Sequence, residues 1–207
     1  MIELILIGAG FAFAAAIQPG PLQAFLLSKV AQQGWRQTLP ASFSPLLSDG
    51  PIAFLMLFIL NNLSSSVQNI LRGTGGVLLL YYAWIGYLHW RNKDTSTSIV
   101  HDSVPKTLFQ AAAVNILNPN PYIGWGLVLG PAVLSAWRAA PIQGIALIAS
   151  FYMTMVICLA CTIIVFGVFG ALSPKGHRLL LAVSTFVLAI IGLYQLYVVV
   201  AANQHIA

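Results

Sequence analysis

Asp49 stands in the stretch FSPLLSDGP, in the middle of an apolar run, between Pro45 and Gly50-Pro51. If that run crosses a membrane, the carboxyl is expensive. Insertion scales put an acid at the centre of a span at about 2.5–3.5 kcal/mol, and such groups mark function by default. Desolvation disfavours the ionised form, so a buried carboxyl can take and release a proton, or pair with a substrate ammonium. The alternative is a carboxyl that caps a broken helix. Ser42, Ser44 and Ser48 share the segment. Such hydroxyls either line the same cavity or bond back to the preceding turn, and no role is assigned to them from the sequence. Glu3, Asp94 and Asp102 lie at a chain end or in a polar stretch.

The second constellation is a pair of breaks. Gln18-Pro19-Gly20-Pro21 interrupts the first apolar run, and Asn118-Pro119-Asn120-Pro121 interrupts a later one. Both read amide–Pro–x–Pro. Proline removes a backbone donor and clashes with the preceding turn. Two prolines one residue apart strand several carbonyls and N–H groups, each costing several kcal/mol in hydrocarbon. The arrangement is tolerable where those groups face protein or water. Broken helices therefore line polar cavities, and their half-helix N-termini suit a carboxylate. The predicted substrate-binding set is Gln18, Pro19, Gly20, Pro21, Asn115, Asn118, Pro119 and Asn120, with Asp49 as the proton-coupling group. A packing kink is the other reading of the prolines, and interhelical hydrogen bonding the other reading of the amides.

The elements that position these residues follow from composition. Of 207 residues, 59% are hydrophobic and only 6% charged. A soluble domain carries roughly 25% charged residues. The chain is therefore an integral membrane protein, without room for a separate soluble domain. Apolar runs of about 20 residues mark spans. Six are expected, at Ile2–Lys29, Leu39–Asn61, Ile70–Trp90, Leu108–Leu134, Gln143–Ala171 and His177–Ala202. The first is read as a retained span rather than a signal peptide, since Glu3 stands where a basic region belongs. Trp84, Tyr87 and Trp90 fit an interfacial belt.

Seven basic residues (Lys29, Arg36, Arg91, Lys93, Lys106, Lys175, Arg178) fall at the ends of spans 1, 3 and 5 or the loops that follow them. Only Arg72 and Arg138 fall on the other side. Positive-inside bias then places those loops in the cytoplasm and both termini outside. The basic charges are scattered singly and form no stripe, so they do not point to nucleic acid.

The halves echo one another. QPGP pairs with NPNP, Trp35-Arg36 with Trp137-Arg138, and Ile85-Gly86 with Ile191-Gly192. The expected fold is all-α: six transmembrane helices as two inverted three-helix repeats, with helices 1 and 4 broken. Residues 1–90 form the first repeat, 91–106 a cytoplasmic polar loop, and 107–207 the second. Many secondary transporters share this layout.

Cys158 and Cys161 spell C-x-x-C, but their flanks VICLACTII are apolar and no His or acid is near in sequence. They read as small packing residues. His89, His101, His177 and His205 lie at span ends, in loops or at the tail. No metal cluster, cofactor motif or nucleophile–base pair is expected.

The stretch AFAAAIQPGPLQAFLL, then Gly34-Trp35-Arg36, Asp49-Gly50 and FQAAAVNILNPNPYIGW resemble the lysine exporter (LysE-type) superfamily over nearly the whole chain. Pro19, Gly20 and Pro21 match its first motif, Asp49 its acidic position, and Asn118 and Pro119 its second motif. Asn120 stands where a basic residue is usual, and Leu22 where a polar one is common. Both departures touch the binding region. The resemblance implies a bacterial inner-membrane exporter of amino acids and related compounds, driven by the proton gradient. One branch of the superfamily exports cadmium. The reading is a secondary transporter of small amino-acid-like zwitterions, not an enzyme. Its partners are substrate, protons and the bilayer, with a homo-oligomer left open. A heavy-metal cation exporter lacks soft ligands in the spans. A membrane thiol–disulfide protein needs cysteines beside the prolines, where Gln18, Gly20, Asn118 and Asn120 stand.

Overall fold

The computed structural model describes residues 1–18, 20–56, 65–91, 103–171 and 174–204. The described residues form helices and no strand: α1 (Ile2–Ile17), α2 (Pro21–Gln33), α3 (Trp35–Thr38), α4 (Ser44–Phe54), α5 (Ser65–Arg91), α6 (Val104–Ile116), α7 (Pro119–Gly124), α8 (Gly130–Ala139), α9 (Pro141–Ala171) and α10 (Pro174–Gln204). A 3-10 turn, Leu39–Phe43, leads into α4. A π-helical turn, Trp125–Leu129, joins α7 to α8. The predicted polar loop lies mostly in 92–102, outside the described residues.

The segments Pro141–Phe169 and Arg178–Ala201 are each long and apolar enough to cross a membrane, and α1 and α2 pass the same test only together, bent by 60° at their break. The break falls where the first proline pair was expected to put it. The second break separates α6 from α7 at Leu117 and Asn118. Large apolar side chains point outward along both long helices, among them Met153, Ile157, Phe186 and Tyr197. With lipid outside, such exposure carries no penalty. This is a helical membrane protein.

Packing is set by small residues. The helix α1 lies on α9, α6 on α4, and α5 along α10. Where α5 meets α10, a Cβ added to Gly76 would stand 3.0 Å from the Gly192 carbonyl, and one added to Gly192 would stand 3.0 Å from that of Gly76. Leu196 and Leu80 close the same contact reciprocally. Small residues let membrane helices approach this closely. Gly86, of the Ile85-Gly86 echo, packs elsewhere, against Thr185. The echoed tryptophans share a seat type, Trp35 lying against Gly167 and Trp137 against Gly144, both on α9.

Two placements differ from expectation or refine it. Lys29, assigned to the cytoplasmic fringe, is only 4% exposed. Its Nζ lies 5.6 Å from the Phe25 ring and 5.8 Å from the Tyr82 ring. Its helix packs against α10 and α5, which cover the side chain that a sequence pattern leaves at a span end. Trp84, Tyr87 and Trp90 form an exposed ladder on α5, with ring centroids 5.8 and 6.3 Å apart.

Candidate functional site

The alanine-rich α1 ends because Pro19, four residues after Ala15, has no N–H to offer the Ala15 carbonyl. The residue before a proline is driven to extended backbone. Gln18 accordingly sits at φ −65°, ψ 122°. The stranded carbonyls are recovered from the other side of the break. Gln23, on α2, donates its side-chain amide to Ala15 O at 3.1 Å and to Ala16 O at 3.2 Å. Pro21 occupies the first position of α2, where its missing N–H costs nothing, and no side chain caps that helix N-terminus.

The second break is built differently. Asn118 is extended at φ −86°, ψ 124°, again ahead of a proline. Its own N–H closes α6 by donating to Asn115 O at 3.2 Å. Its side-chain oxygen accepts from the Asn120 N–H at 3.1 Å. Pro119 and Pro121 have no N–H, so the first three positions of α7 present no unbonded donor. The expectation that both half-helix N-termini offer N–H groups to a carboxylate therefore fails for α7. A helix needs capping at its start, and here the chain caps itself.

Between the breaks lies a cavity of about 120 Å³. Gln18, Gly20, Asp49, Asn115, Asn118 and Asn120 line it. Gln18 and Asn120 are exposed, whereas Gly20, Asp49, Asn115 and Asn118 are buried. Pro21 and Pro119 are buried, do not line the cavity, and are the first residues of α2 and α7. Pro19 lies outside the described residues.

Asp49, 4% exposed, is the charged side chain among the described lining residues. Asn115 donates from Nδ2 to Asp49 Oδ1 at 2.8 Å and to Ser48 Oγ at 2.7 Å. Ser48 has one hydroxyl proton to share between Ser44 O at 3.0 Å and Asp49 Oδ1 at 3.3 Å. The carboxyl of α4 is thus held to α6 across 66 positions of sequence. Hydrogen bonds to a charged group contribute about 1.5–3 kcal/mol, which offsets part of the burial of the acid. Tyr122 and Tyr152 stand within electrostatic reach of it.

The remaining wall is aromatic and apolar. Trp125 meets Phe151 edge-on at 5.9 Å, and Phe11 lies 6.2 Å from Phe151. Phe11 also covers Gly124, where a Cβ would come within 3.1 Å of the ring. Trp125 opens the π-helical turn, in which Gly130 N donates to Trp125 O. This widened turn precedes Pro131, which has no N–H to continue the normal ladder. Such turns recur at functional sites.

Sequence reasoning missed Gln23, Ser48 and Trp125. Gln23 carried a faint signal, an amide one turn past a proline. Trp125 carried none, since the carboxyl that it faces lies on another helix; Ser48 was noted for a bond to the preceding turn, which it makes to Ser44 O, but its tie to Asn115 on α6 could not be read. Cys158 is half-buried and Cys161 exposed on α9, and neither lines the cavity. Among the described residues no group of three His, Cys, Asp or Glu could hold a metal.

Neither the curated proteins nor the solved structures compared with the chain gave a match. Residues 13–198 match the LysE type translocator family, a span that takes in both helix breaks, Asp49 and Asn115. The chain belongs to the LysE type translocator family.

Proposed function

We propose that this protein is a secondary transporter that exports small amino acids or similar zwitterions across the bacterial inner membrane, driven by the proton gradient. The carrying observation is one bond in one place: Asp49 on α4 held by Asn115 on α6, inside a cavity framed by two helix breaks. A lone carboxyl in such a cavity binds either a proton or a substrate ammonium. Taking up either one changes what Oδ1 can accept from Asn115, and so changes the tie between the two halves of the chain.

The halves are read as inverted three-helix repeats, 1–90 and 107–207, with 91–106 as a cytoplasmic loop and both termini outside. Three features support this. The first helix of each half packs on the second of the other, α1 on α9 and α6 on α4. The third helices cross at the reciprocal Gly76–Gly192 contact. Gln18 and Asn118 share one backbone conformation. Rocking of one half against the other would then expose the cavity to each side in turn.

The test is efflux from proteoliposomes with an imposed pH gradient, across a panel of labelled amino acids, for the wild-type chain and Asp49→Asn. Gradient-driven movement of at least one amino acid, lost in the variant, is the expected result. Wild-type rates in Asp49→Asn with unchanged pH dependence would exclude coupling through Asp49.

A further inference from the structure

Where α5 lies along α10, a groove of about 540 Å³ opens outward, against about 120 Å³ for the cavity at Asp49. Small-molecule sites commonly measure about 300–1,000 Å³. Trp84, Tyr87 and Trp90 wall the groove on α5, and Ala182, Phe186 and Ala189 wall it on α10. The two helices run antiparallel: Gly76 meets Gly192 and Leu196, and Gly86 meets Thr185. A turn or two further, that register brings Arg91, the last residue of α5, to the level of Arg178 near the start of α10. Both arginines are exposed, as is Lys175 one turn before Arg178. Arg178, Ala182, Phe186 and Ala189 recur at helical spacing on one face, and so do Trp84, Tyr87 and Arg91. The groove thus ends at a group of cations. Neither helix carries an acid to neutralise them.

We propose that this groove holds one anionic phospholipid. An acyl chain lies between the aromatic ladder of α5 and the alanine face of α10, and the phosphate rests between Arg91 and Arg178. The parts match by chemistry. Indole and phenol rings favour the headgroup boundary, and basic pockets between membrane helices bind acidic headgroups. A zwitterionic headgroup would bring its own cation among those of Lys175, Arg91 and Arg178. A second copy of the chain fits poorly. A two-fold pairing sets the same patch on both partners, so arginine would meet arginine at this end of the groove. The charge bias of the sequence assigns this end to the cytoplasmic leaflet, where anionic lipids give the surface its negative potential. The proposal does not depend on what the cavity at Asp49 carries.

The test is native mass spectrometry of the full chain, purified in detergent, stripped of lipid and titrated with phosphatidylglycerol or phosphatidylcholine of the same acyl chains. The expected result is one phosphatidylglycerol per chain, bound at concentrations where phosphatidylcholine is not. Arg91→Gln and Arg178→Gln should each weaken that binding about 5-fold, and together about 30-fold. Arg138→Gln, an exposed cation at the end of α8, should leave it unchanged. Ala182→Phe, which fills the groove and keeps the cations, should weaken it as well. Equal binding of the two lipids overturns the proposal, and so does phosphatidylglycerol binding that ignores both arginines. A dimer that holds no lipid and falls to monomer in Ala182→Phe also overturns it, and assigns the groove to a second copy. Both arginines are exposed, so their variants decide the outcome if Ala182→Phe fails to fold.

Discussion

Gln18 and Asn118 hold nearly the same backbone, yet the helices that follow them begin in different ways. After Asn118 the next helix starts at once, with Pro119 in its first position and Asn118 itself as the cap. After Gln18 the helix starts two residues later, so that Gly20 takes the cap position and Pro21 the first turn. The first break therefore leaves its new helix without a side-chain cap, and spends its amide, Gln23, on the helix that has just ended. Similar motifs thus produce one break closed on itself and one tied backwards. Identity at the level of amide–Pro–x–Pro sets where a helix stops. Two residues of offset in where the next begins decide which backbone groups meet the cavity.

The largest expected effect removes what both breaks surround. Asp49→Asn should bring gradient-driven export down to the level of protein-free vesicles, while detergent-solubilised protein stays monodisperse; retained export would detach the breaks from the coupling step. Next, Gln23→Leu should strand the Ala15 and Ala16 carbonyls and cost about 1–3 kcal/mol of stability, read as a lowered Tm in detergent. A smaller loss, about 1 kcal/mol, is expected for Asn118→Ala, which uncaps α7. Gln18→Ala should shift stability by less than about 0.5 kcal/mol, because that exposed side chain caps nothing. Equal Tm losses for Asn118→Ala and Gln18→Ala would erase the difference between the breaks. A Gln23→Leu variant as stable as wild type would show that water replaces the amide.

Much of this was open to reading from the chain alone, for local reasons. Proline lacks a donor wherever it stands, so the stops after Ile17 and before Pro119 follow from covalent chemistry. An alanine-rich run with few charges makes a helix that seeks lipid. Asp49 was conspicuous because an acid in an apolar stretch must be satisfied somewhere. Gln18, Gly20, Asn115, Asn118 and Asn120 do converge on one cavity with it. Other placements depend on which helix covers which. Lys29 looked like a fringe charge because sequence cannot register that Phe25 and Tyr82 enclose it. The close approach of Gly76 to Gly192 was not legible either, because it depends on how α5 crosses α10.

By itself, then, the sequence determined a membrane-embedded helical chain, two proline breaks a hundred residues apart, and one acid between them. These depend on backbone chemistry and on transfer between water and lipid, both of which act residue by residue. Only the tertiary structure decided that Asn115 and Ser48 hold that acid, that Gln23 repairs the first break, and that Trp125 faces the carboxyl from another helix. Hydrogen bonds are short and directional, so a partner one helix away is specified by packing angle and register. Neither is written in any single segment.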